Sequence, residues 1–97
     1  MTSVTNGVSL GRQALRRDVN TRISAVGAGP DAETVDVFCE CGRARCADRI
    51  RIETGAYAEI LGSAAYFVVT AGHEATGAEE PVARQNGYVV VERRPRP

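Results

Sequence analysis

The chain lacks lysine altogether, carries one histidine, three cysteines and five aromatic residues, and contains no long apolar run. Each shortage excludes something. No stretch approaches the ~20 consecutive apolar residues that a bilayer-spanning helix needs. The polar opening, Met1 to Gly7, does not read as a signal peptide, so a cytoplasmic protein is the expectation. Three cysteines cannot form the fully paired disulfide framework of a small secreted domain, and reduced thiols available to a metal fit better. All twelve basic residues are arginines and twelve acids balance them, so no net charge steers the chain toward nucleic acid or a membrane. The aromatic residues, Phe38, Tyr57, Tyr66, Phe67 and Tyr88, fall in segments that read as core, which leaves few rings to stack on bases.

What remains is 97 residues, 43% of them hydrophobic, enough for one core and too little for two. A single domain is expected over residues 9–93, between disordered tails at 1–8 and 94–97. At this size surface is large relative to volume, so a metal would add useful stability.

Ser9 can cap a helix in which Leu15, Val19, Ile23 and Val26 recur at helical spacing, an amphipathic pattern that the run Gly27-Ala28-Gly29-Pro30 ends. Alternation predicts a strand with Val35, Val37 and Cys39 on one face, and a second over residues 49–53 with Ile50 and Ile52 inward. Thr54 is expected to cap a short helix reaching about Gly62, with Tyr57, Ile60 and Leu61 on a common face. Tyr66 to Thr70 reads as a buried strand stopped by Ala71-Gly72. Asn86-Gly87 between Val82–Arg84 and Tyr88–Arg93 predicts a hairpin. Strands joined directly to strands favour an α+β class, with an antiparallel sheet and two helices on one face.

The chemistry concentrates in Cys39-Glu40-Cys41-Gly42-Arg43-Ala44-Arg45-Cys46 and in His73, which follows a glycine turn. Zinc takes four nitrogen or sulfur ligands in a tetrahedron. Residues two apart on an extended segment point the same way, so Cys39 and Cys41 can both face an ion. Gly42 lets the chain turn, Cys46 returns a third thiolate, and His73 completes the set from a distant strand end. Other readings stay open at this point. Cys46 can pair with either partner in a disulfide, while Cys39 and Cys41 are poorly placed to pair with each other. The thiols can also be small buried hydrophobes, with His73 on a surface turn. Glu74 beside His73 suggests a general base, although a turn carboxylate is usually solvated. The chain has neither HExxH nor the HxE…PCxxC signature of nucleotide deaminases.

Arg17-Asp18-Val19-Asn20-Thr21-Arg22-Ile23, Phe38-Cys39-Glu40-Cys41 with Cys46 and Ile50, Tyr57, Phe67-Val68-Val69, Gly72-His73-Glu74 and Gly87-Tyr88-Val89-Val90-Val91-Glu92 together resemble a group of small actinobacterial proteins, across about residues 14–93. The exclusive use of arginine agrees with a high-GC bacterial source. The resemblance implies that the three cysteines and the histidine belong to one site. It supplies no reaction. The chain departs from the group at Gly55-Ala56-Tyr57, where the group carries a more strongly helical acidic stretch.

The expectation is a non-enzymatic, structural zinc module acting on a protein partner as a small regulator or accessory protein, with Cys39, Cys41, Cys46 and His73 as ligands. The alternative is a zinc-thiolate redox sensor, or a zinc enzyme with an exchangeable ligand. Arg43, Arg45, Arg49 and Arg51 form a candidate interaction surface for phosphate or carboxylate, and carry the less favoured nucleic-acid reading. Interleaved with Glu40, Asp48 and Glu53, they fit a solvated, salt-bridged surface better.

Overall fold

A computed structural model of the chain describes residues 10–27, 33–75, 78–85 and 87–93. The elements follow the order α1 (Leu10–Gly27), β1 (Thr34–Phe38), β2 (Arg49–Glu53), α2 (Thr54–Leu61), β3 (Tyr66–Thr70), β4 (Glu79–Gln85) and β5 (Tyr88–Arg93). The two expected tails, the Ser9 cap, the stop residues 28–30 and Asn86 lie outside the described residues.

The α+β class holds, but the strands form two small antiparallel sheets rather than one. β1 pairs with β2, and the second sheet has the order β3-β5-β4. Alternation places the inward residues of the first sheet as expected: Val35, Val37, Ile50 and Ile52 are buried while Asp36, Arg49 and Arg51 face outward. Val68, Val69, Val89 and Val91 form the centre of the second sheet, buried on both faces. Tyr57 and Ile60 of α2 add to the same core. Thr54 does not cap α2: the N-cap position is Glu53, without a side-chain cap, and the Thr54 N–H donates to the Glu33 carbonyl.

The sheets meet at Glu40. Its N–H donates to the Val68 carbonyl at 2.8 Å, and its carboxylate accepts the Val68 N–H at 2.9 Å. One residue, using main chain and side chain, thus occupies both bonding groups of Val68 on the free edge of β3. The ladder goes no further because the chain on either side is diverted to carry thiols.

α1 is helical where the periodicity predicts, yet the face it buries is rotated away from the expected one, with Ile23 at the shared border. Leu15 is 61% exposed and Val26 86% exposed, whereas Gln13 and Asn20 are buried. Only Ile23 of the apolar series packs against the core. The physical reason is that the surface under α1 is made of polar groups needing partners. Gln13 donates to the Glu40 carbonyl, Arg12 to the Gly42 carbonyl and Arg16 to the Arg43 carbonyl. A buried backbone group without a partner costs about 1–3 kcal/mol, so several such groups outweigh the burial of one or two aliphatic side chains.

Candidate metal centre

The thiols sit where β1 ends. Cys39 follows the last strand residue, and its N–H still donates to the Asp48 carbonyl beside β2. Extended geometry then sends Cys39 and Cys41 to one side and Glu40 to the other. Gly42 adopts φ 77°, the left-handed turn that glycine takes at least cost, and redirects the chain toward Cys46. A second such turn, with Gly72 at φ 95° and the His73 N–H donating to the Thr70 carbonyl, ends β3 and brings His73 across.

The result is that the ligand atoms of Cys39, Cys41, Cys46 and His73 all lie within 4.8 Å of one another, a group that can hold a metal ion. The histidine Nδ1 stands 3.6 Å from Cys39 Sγ and 3.5 Å from Cys46 Sγ. Nδ1 faces the sulfurs, and on the other side of the ring Nε2 lies 3.8 Å from an Asp48 carboxylate oxygen, longer than a hydrogen bond. Cys39 Sγ accepts the Thr70 N–H at 3.1 Å, and Arg16 Nη1 is 3.8 Å from Cys41 Sγ. Cys39 and Cys41 are buried, and Cys46 and His73 are half-buried. All three cysteines are free thiols, so the disulfide reading does not describe this arrangement.

Crowding three sulfurs separates their proton affinities. A hydrogen bond from Cys39 lowers the Cys41 thiol to about 4, with the Arg43 backbone adding to the effect. The same bond, followed by burial, holds the Cys39 proton on, and burial pushes Cys46 up. The shared proton thus favours negative charge on Cys41 over its two neighbours.

Glu74 structures the turn rather than facing the sulfurs. Its Oε1 accepts the Gly72 N–H at 2.7 Å and its Oε2 lies 3.5 Å from Arg84. Burial works to raise its carboxyl, but backbone N–H groups and Arg84 outweigh it and the net shift is downward.

Sequence reasoning missed Glu40. Counted there among surface acids, it has no exposed surface at all. Its Oε2 accepts from Tyr57 Oη at 2.6 Å and Asn20 Nδ2 at 2.9 Å, and lies 3.4 Å from Arg17 Nε. Arg17 in turn stacks over the Phe67 ring, 4.7 Å from its centroid. Burial first, then the Glu40 charge, raises the Tyr57 phenol, which keeps it a donor. The signal was available: alternation between two cysteines that share a direction sends the residue between them the opposite way.

Arg49 and Arg51 share the outer face of β2, where Arg51 pairs with Asp36 at 3.2 Å and Arg49 lies over Phe38. Arg45 is exposed on the cysteine loop, and Arg43 is half-buried. No family model, curated protein or solved structure matches the chain. Among the described residues, no helix is long and apolar enough to cross a membrane.

Proposed function

We propose that the chain is a non-enzymatic structural zinc module that works in the cytoplasm through contacts with a protein partner, as a small regulator or accessory protein. The observation that carries this reading is the convergence, within 4.8 Å, of four ligands from two turns 27 or more residues apart. Three thiolate sulfurs and one imidazole are a soft donor set that suits zinc and not magnesium or calcium. Tetrahedral zinc, with Zn–S of about 2.3 Å and Zn–N of about 2.0–2.1 Å, separates sulfur from nitrogen by about 3.5 Å. The two Sγ to Nδ1 distances match that spacing. Four protein ligands fill the tetrahedron and leave no position for substrate, which supports a structural role.

One observation favours the redox-sensor reading in second place: Cys46 and His73 are the half-exposed ligands, so an oxidant or competing ligand meets them first. Protein purified without chelator and analysed for metals is expected to carry one zinc per chain; a metal-free, fully folded protein would refute the module. Cobalt substitution separates the two readings. A spectrum of closed three-sulfur coordination, unmoved by added azide or cyanide, supports the structural site, and a spectrum that shifts on their addition supports the exchangeable one.

A further inference from the structure

A second concavity shares no residue with the metal centre. It lies between α2 and one face of the β3-β5-β4 sheet and has a volume of about 320 Å³. The strand register builds the sheet wall: Thr70 opposes Tyr88 and Val90 opposes Ala83, so Tyr66, Tyr88, Val90 and Ala83 present their side chains to the same face. The helix wall is Ala56, Glu59 and Ile60, at positions i, i+3 and i+4. Alanine at both 56 and 83 is what leaves the space open, since longer side chains at either position would enter it.

The chemistry of the walls is one-sided. Glu59 is the only charged side chain among the lining residues, and it forms no ion pair with the described residues. Two phenol rings flank an aliphatic floor. A further carboxylate, Glu53, acts on Tyr88, whose phenol is raised first by burial and then by that charge. The lining is therefore aromatic with one negative charge at its open rim, a combination that attracts cations to ring faces and repels anions. The volume falls at the lower end of the roughly 300–1,000 Å³ of small-molecule sites. A peptide adding a strand beside the cavity would meet the β4 edge, which Pro81 and the register shift between Pro81 and Ala83 interrupt.

We propose that this cavity binds a free small organic cation, an ammonium or guanidinium on a short hydrophobic body, with its charge toward Glu59 and the tyrosine rings and its body on Ile60 and Val90. The test is an amide NMR titration of the full, metal-loaded chain with benzylammonium, benzyl alcohol and benzoate. Benzylammonium is expected to shift the amides of Ala56, Glu59 and Tyr88 saturably. Benzyl alcohol should bind about tenfold more weakly and benzoate not at all. Glu59→Gln should weaken benzylammonium about tenfold while leaving benzyl alcohol unchanged. Ala83→Trp, at an exposed strand position, should fill the cavity and abolish both while the remaining amides stay in place. Equal binding of the alcohol and the ammonium, indifference to Glu59→Gln, or no saturable shift at these amides would overturn the proposal. Tighter binding of an acetylated lysine or arginine tripeptide would overturn the assignment to a free small molecule.

Discussion

Asn20 and Phe38 exchange two hydrogen bonds: Asn20 Nδ2 donates to the Phe38 carbonyl at 2.8 Å, and the Phe38 N–H donates to Asn20 Oδ1 at 2.8 Å. A side-chain amide on a helix thus pairs with a strand residue as a neighbouring strand would. Its Nδ2 also reaches Glu40, 2.9 Å away, so one residue ties α1 to β1 and to the buried carboxylate together.

The two faces of α1 should respond oppositely to mutation. Asn20→Leu leaves the Phe38 N–H and carbonyl unpaired and is expected to cost about 1–3 kcal/mol, although it adds apolar surface. Leu15→Glu or Val26→Glu, on the expected core stripe, should stay within about 0.5 kcal/mol of the parent. Urea midpoints of the three variants check this, and a reversed order would mean that the apolar stripe faces the core.

Glu40 should be the most sensitive non-ligand residue. Glu40→Leu strands Arg17, Asn20, the Tyr57 hydroxyl and the Val68 N–H in the interior, and loss of one partner of a buried ion pair costs about 3–5 kcal/mol. Glu40→Gln keeps the shape and one acceptor and should lose less. Chemical denaturation of zinc-loaded protein measures both, with metal content followed in parallel.

Ligand loss should show that fold and metal are coupled. Cys41→Ser is expected to lose zinc and to unfold at markedly lower denaturant, because metal affinity in domains of this size is also folding free energy. Chelator treatment of the parent should reproduce the effect, and added zinc should reverse it. A Cys41→Ser protein with parental stability would exclude a structural ion.

Metal uptake should become stronger as pH rises. Cys41 is already a thiolate above about 4, whereas Cys39 and Cys46 keep their protons until an ion displaces them. The bound form therefore carries fewer protons than the free form, and acid favours the free form. With thiol protons released on binding, log affinity should climb as pH rises toward the normal thiol range. Calorimetry in buffers of different ionisation enthalpy counts the protons. Affinity that is flat with pH would show that the free cluster is already deprotonated.

Much of this architecture is legible in the chain itself. Val35 with Val37 and Ile50 with Ile52 announce their strands because alternation maps directly onto burial there. The Cys-x-Cys spacing with glycines at 42 and 72 foretells the cluster, since both glycines take the left-handed turns that steer ligands inward. α1 resists the same reasoning. Gln13 finds its acceptors 27 and 66 residues away, at Glu40 and Glu79, and no local periodicity encodes partners that distant. Glu79 itself, buried between Gln13 and Arg93 and accepting the Ala75 N–H, opens β4 three residues before the strand expected at Val82–Arg84.

The polar underside of α1 also sets how that helix meets temperature. Releasing an apolar face exposes surface that raises heat capacity, whereas releasing a polar one lowers it. Undocking α1 uncovers mainly amides, guanidinium groups and carbonyls, so its release carries little of the curvature that drives cold denaturation. Held by directional bonds more than by apolar burial, the helix should loosen before the valine core on warming and stay in place in the cold.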